Sequence, residues 1–110
     1  MILLLHERAT PEQFEQLLQQ HKFYIKTAVD IERRIVAAGG ELHYDCEQAL
    51  LDDGSRQENI WAASFMPLTG RLFFESMVNL RPRQNRSMEL LDPNIRERVA
   101  QLINEFLGEL

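Results

Sequence analysis

Apolar and polar positions repeat along this chain with two different periods. Ile2 to Leu5 is a short apolar run of strand length. The period then lengthens, so that Phe14, Leu17, Leu18 and His21 fall on one helical face. Thr10 stands where an N-cap is needed, Pro11 fits the first helical position, and Gln13 completes a capping box. A second helix is expected from Asp92-Pro93. Its apolar stripe is Ile95, Val99, Leu102, Ile103 and Phe106, with Gly108 at the C-terminal cap.

Between these helices the period shortens. In residues 25 to 37, Ile25, Ala28, Val29, Ile35 and Val36 roughly fit a helix, with Gly39 as its C-cap. A strand is preferred because it passes a register test. With Gly39-Gly40 as a two-residue hairpin turn, Ala37 lies opposite Leu42, Ile35 opposite Tyr44, and Val29 opposite Leu50. Asp53-Gly54 reads as a second hairpin that sets Trp61 beside Cys46, Ala63 beside Tyr44, and Phe65 beside Leu42. A turn through Pro67 and Gly70 then places Leu72 opposite Phe65 and Phe74 opposite Ala63. Val78 and Leu80 extend the same face. All three turns agree on one apolar surface. The expected fold is α+β: an antiparallel β-meander in the order β-α-β-β-β-β-α, with both helices on one face and residues 1–110 in one domain.

Composition narrows the function classes. A hydrophobic fraction of 45% and a charged fraction of 26% set disordered and fibrous classes aside. A net charge of -5 argues against a general nucleic-acid or membrane-surface binder. The single cysteine, Cys46, forms no internal disulfide. His6-Glu7-Arg8 interrupts the opening apolar run, which is shorter than the roughly 7–15 residues of a secretory core. The cytoplasm is therefore the expected location.

The same register defines a polar face. Glu41, His43, Asp45 and Glu47 alternate with apolar neighbours, and the adjacent strand offers Asp30, Glu32 and Arg34. Arg34 is expected opposite Asp45, Glu32 opposite Glu47, and the row continues past Ala62 to Glu75. The candidate cleft is thus Asp30, Glu32, His43, Asp45, Glu47 and Glu75. Glu32, His43, Asp45 and Glu47 have ligand atoms suited to a divalent cation. Crowded carboxylates could instead supply a protonated acid for catalysis. The plainer alternative is the solvated face of a one-sided sheet. No other cofactor is evident, since phosphate-binding glycine loops, zinc spacings and calcium loops are missing from the sequence.

Arg81, Arg83, Asn85, Arg86 and Ser87 form a second candidate, a loop of forked donors for a small anion. The competing reading folds this loop back over the acidic strand. Cys46 is expected to be a buried, inert thiol, and Trp61 a core residue.

Val29-Asp30-Ile31-Glu32, Gly39-Gly40-Glu41-Leu42-His43, Asp45-Cys46-Glu47 and Asp53-Gly54-Ser55 carry a resemblance. So do Ile60-Trp61, Phe74-Glu75-Ser76, Asn79-x-Arg81-Pro82 and Asn85-Arg86-Ser87. Across residues 25 to 87 the chain resembles an uncharacterised family of small prokaryotic proteins, common among cyanobacteria and classed as a domain of unknown function. Ala62 stands where the family pattern has glycine. The resemblance implies that the acidic segment and the arginine loop belong to one shared pattern, and it implies no activity. Three function classes follow from the residues: a binding or assembly module such as a homo-oligomer, a metal-dependent hydrolase or phosphoryl-acting enzyme, and a small-anion sensor that uses the arginine loop alone.

Overall fold

In the computed structural model, which describes residues 1–108, both expected capping sites start helices. Thr10 Oγ1 accepts from the Gln13 N–H at 3.1 Å, and Gln13 Oε1 accepts from the Thr10 N–H at 2.9 Å. Helix α1 runs over Pro11–Gln20, after strand β1 at Leu3–Leu5. Asp92 Oδ1 accepts from the Asn94 N–H at 2.9 Å and opens the last helix, α3, at Pro93–Leu107, with Gly108 as its C-cap.

The segment between 25 and 38 is two strands rather than one: β2 at Ile25–Asp30 and β3 at Ile35–Ala38. Asp30 makes the turn. Its Oδ1 accepts from the Glu32 N–H at 3.0 Å and the Arg33 N–H at 2.9 Å, and Arg34 closes the hairpin at φ 57°. The pairs are therefore Val29 with Val36 and Asp30 with Ile35.

The expected third strand is helix α2, His43–Asp52, which overturns the Gly39-Gly40 hairpin and every pair built on it. Residues 41 to 52 contain no Val, Ile or Thr, whereas β2 and β3 contain five of these. Asp45 supplies the helix start, its Oδ2 accepting from the Leu42 N–H at 3.1 Å. Asp53-Gly54 is not a hairpin turn but the end of this helix. Gly54 has φ 100°, its N–H donates to Leu51 O at 3.0 Å, and the Ser55 N–H donates to Leu50 O at 2.9 Å. Those two bonds form the left-handed glycine stop of an α-helix.

After a short 3-10 turn at Gln57–Asn59, β4 spans Ile60–Phe65 and pairs with β2, setting Trp61 opposite Val29. Strand β5, Leu72–Phe73, pairs Leu72 with Phe65 as the turn through Gly70 predicts. The ladder stops there. Phe74 does not pair with Ala63, and Met77–Asn79 is a 3-10 turn, so Val78 and Leu80 extend no strand. The five strands form one antiparallel sheet in the order β1-β3-β2-β4-β5.

Two cores result. On one face Val29, Val36, Trp61, Ala63 and Phe65 pack with Leu17 of α1 and with Val99, Leu102, Ile103 and Phe106 of α3. Both terminal helices thus share a face, as expected. On the other face Ala28, Ile35, Ala37 and Ile60 pack with Cys46 and Leu50 of α2. Trp61 and Cys46 lie on opposite sides of the sheet, not side by side. The supposed open polar floor is covered by a helix. Among the described residues no helix is long and apolar enough to cross a membrane.

Candidate functional site

The acidic cluster does not assemble as one row. Glu32 lies at the hairpin tip, paired with Arg98 at 3.3 Å, and Arg34 pairs with Glu105 at 2.8 Å instead of Asp45. Both pairs are exposed and contribute little to stability. Asp30 is buried, with Oδ1 spent on the turn and Oδ2 without a partner. Asp45 caps its own helix, Glu41 is exposed, and Glu75 is exposed in an isolated bridge to Glu89. Among the described residues no three His, Cys, Asp or Glu side chains are grouped so as to hold a metal ion. The set Glu32, His43, Asp45 and Glu47 is therefore divided between a hairpin tip and a helix.

The arginine loop is divided too. Arg81 and Asn85 are buried, whereas Arg83 and Arg86 are exposed. On the side away from β2, residues 60 to 62 of β4 have no strand beside them beyond the short β5, and side chains complete that edge. Asn79 Oδ1 accepts from the Ala62 N–H at 2.8 Å, and its Nδ2 donates to Ala62 O at 2.9 Å and Phe74 O at 3.1 Å. Arg81 donates to the carbonyls of Ile60, Val78 and Gln57, the last at 2.6 Å. Its guanidinium lies 4.2 Å from the centre of the Trp61 ring. Burial pushes the Arg81 guanidinium down, and the Glu47 carboxylate opposes that. Asn85 Nδ2 donates to the carbonyls of Asn79, Ser87 and Glu89, while its Oδ1 accepts from the Leu91 N–H. Arg86 donates to Pro82 O at 3.2 Å, and Ser87 Oγ accepts from the Glu89 N–H at 3.1 Å. Two of the five anion candidates thus face inward: Arg81 holds the loop to the edge of β4, which needs hydrogen-bond partners, and Asn85 holds the loop's own backbone together. The loop reaches the sheet edge, not the face of an acidic strand.

One polar group of a different kind does assemble. His43 begins α2, and its Nε2 lies 2.9 Å from Ser64 Oγ on β4. Ser64 pairs with Lys26 on β2 and with Phe73 on β5, so all three side chains leave the sheet on the α2 side. Phe73 meets Tyr24 edge to face, with ring centres 6.1 Å apart. The aromatic pair remains open to solvent: Tyr24 is 50% and Phe73 42% exposed. Burial lowers the His43 pKa, and the Lys26 charge lowers it further, against a weaker upward pull from the Ala63 carbonyl. His43 is thus a neutral base at pH 7. Glu47, one helical turn on, is 5% exposed with Oε2 unpartnered, and its charge acts on Arg81 rather than on His43.

Cys46 lies beside this group but is chemically quiet. Its Sγ donates to Lys26 O at 3.4 Å, and burial raises the thiol pKa to about 11. Of the residues now brought together, His43 alone was in the sequence-derived cleft. Lys26 and Ser64 were missed because an isolated Lys and an isolated Ser on strands carry no local signal. Only the correct β2–β4 register, Lys26 with Ser64, would have placed them side by side.

A groove of about 660 Å³ lies elsewhere, lined by Phe14, Phe65, Pro67, Leu68 and Phe106 with Arg8 at its rim. The Arg8 guanidinium is already taken up by the carbonyls of Glu105 and Gly108. That groove has volume without convergent chemistry, so the site is placed at His43, Ser64 and Lys26.

The fold and site together define an α+β domain in which a five-stranded antiparallel sheet carries a Ser-His-Lys group under the start of its middle helix. The chain belongs to the family described as protein of unknown function (DUF5674), whose profile matches residues 3–106 and so includes the segment that carried the sequence resemblance. No curated protein and no solved structure matches the chain.

Proposed function

We propose that this protein is a binding module for a small organic carboxylate bearing an apolar group. The observation that carries the reading is the convergence on Ser64 of a His43 nitrogen at 2.9 Å and the directly opposed Lys26. An ammonium and a hydroxyl suit a single carboxylate, and the exposed Tyr24–Phe73 pair offers a surface to its apolar part. A phosphate dianion would call for more donors than this group presents. The lone, buried Cys46 suits a reducing cytoplasm as the place of action.

Calorimetry with benzoate and phenylacetate tests the proposal. Saturable binding at millimolar concentration is expected for the native chain, with at least tenfold weakening in Lys26→Met, which keeps the apolar stem. Equal heats for native and variant chains would remove the reading.

A second reading, self-association, draws on Leu42, Tyr44, Met77 and Leu80, which are large, apolar and exposed. Light scattering at micromolar concentration distinguishes the two. A stable dimer supports association, and a monomer at all concentrations counts against it.

A further inference from the structure

We propose that Ser64 is a nucleophile, activated by His43, that hydrolyses esters of small carboxylic acids. The inference rests on the carboxylate-binding reading of the same residues and extends it from ligand to substrate. Binding alone needs a donor at Ser64. It does not need that hydroxyl to face an imidazole nitrogen at 2.9 Å, the distance of a nucleophile from its general base.

The reaction assigns a role to each of Ser64, His43 and Lys26. Ser64 Oγ attacks the ester carbonyl carbon and forms a C–O bond, while its proton passes to His43 Nε2. This requires the imidazole tautomer that carries its proton on Nδ1. The carbonyl oxygen becomes an oxyanion on the side of Lys26, whose ammonium offsets the developing charge. Collapse breaks the bond to the leaving alcohol, which departs with the proton held by His43. Water then attacks the acyl-serine and gives a proton to His43. The serine oxygen leaves and recovers that proton; the carboxylic acid releases its remaining proton to water, and a carboxylate is left opposite Lys26. The product belongs to the ligand class proposed for the site.

The surroundings suit this use. Ser64 is 9% exposed and His43 is half-buried, so the pair is shielded yet reaches the surface beside the open Tyr24–Phe73 pair. An aryl or alkyl group in the ester has that pair to rest on. Cys46, the other nucleophile nearby, is fully buried and bonded to the Lys26 carbonyl, so it does not compete.

The test is acetylation of the native chain by p-nitrophenyl acetate, followed by peptide mapping. One acetyl group on Ser64 is expected, with a matching burst of nitrophenolate. Ser64→Ala abolishes that label, and Ser64→Cys, which keeps a nucleophile in place, is still acetylated at residue 64. His43→Gln slows acetylation by roughly 10²-fold or more. Acetyl groups found only on Lys26, Tyr24 or other residues overturn the proposal, as does an unchanged rate in His43→Gln. A parallel benzoate titration separates the two claims: binding without acetylation of Ser64 leaves a binding module and refutes the nucleophile. Failure of both refutes both.

Discussion

His43 Nε2 and Ser64 Oγ, 2.9 Å apart, join the first turn of α2 to the strand β4 beneath it. That contact ties a helix which the strand-like alternation of residues 41 to 47 conceals to a hydroxyl with no local signal. The energetic consequence is a pH dependence. Burial and Lys26 hold the folded His43 pKa below its ordinary 6.5, so the unfolded chain binds the proton more readily. Above about pH 6.5 neither state is protonated there and the residue contributes no penalty. As pH falls through the unfolded value and on toward the lower folded one, stability is lost.

Thermal melts of native chain and His43→Gln check this. The native Tm is expected to drop more between pH 7.5 and pH 5.5 than that of the variant. Lys26, Glu47, Asp45 and Cys46, which lie on the elements around the ring, are the same in both chains, so the difference between the two melts reads residue 43. Equal drops in the two chains would contradict the assignment.

Asn79 substitutes for a missing strand. It is fully buried, and its side chain bonds both backbone groups of Ala62 and the Phe74 carbonyl. Asn79→Ala strands a donor and an acceptor on the sheet edge, at a cost of roughly 2–4 kcal/mol. Asn79→Asp is expected to cost more, since it replaces the Nδ2 donor with a buried charge. Urea denaturation of the three chains gives the comparison.

Arg81 presents a planar fork to several carbonyls while lying over Trp61. Lysine matches the charge but neither the fork nor the stacking. Arg81→Lys is therefore expected to lose about 1–3 kcal/mol in denaturant unfolding. An anion-binding role for this loop predicts the opposite: a neutral effect on stability and a loss of anion affinity.

Gly54 distinguishes the helix end from a hairpin. At φ 100° an added Cβ meets only Arg33 Nη1, at 4.0 Å, so no clash obscures the backbone term. Gly54→Ala should cost about 1–2 kcal/mol through the left-handed conformation alone. Loss of helical signal in circular dichroism alongside that destabilisation would fit the end of α2.

Much of the frame was legible. Thr10, Gln13 and Asp92 are strong local start signals, and the structure uses all three as caps. Phe65 with Leu72 was legible because the turn between them is short and marked by Pro67 and Gly70. The middle misled because Glu41 to Glu47 alternates polar and apolar while His43, Cys46, Glu47 and Leu50 also fit a helix. Periodicity over so few residues does not choose between the two. Composition does: the segment lacks β-branched residues, and Gly54 suits a helix stop as well as a turn. Once that element was read as a strand, the tight turn made by Asp30 was absorbed into its neighbour. The cleft map then followed a sheet that does not exist. Arg81 and Asn85 stood out as polar residues for binding, but Arg81 donates to backbone carbonyls more than a dozen residues away and Asn85 to those of its own loop. Backbone partners of that kind leave no mark in a sequence.

The proposed site is tested most directly by the imidazole titration of His43, followed by NMR with and without saturating benzoate. A carboxylate held beside Lys26 favours the protonated ring, so the His43 pKa is expected to rise on binding, and by less in Lys26→Met. A His43 titration curve that benzoate leaves unmoved would contradict the claim that His43, Ser64 and Lys26 form a carboxylate site.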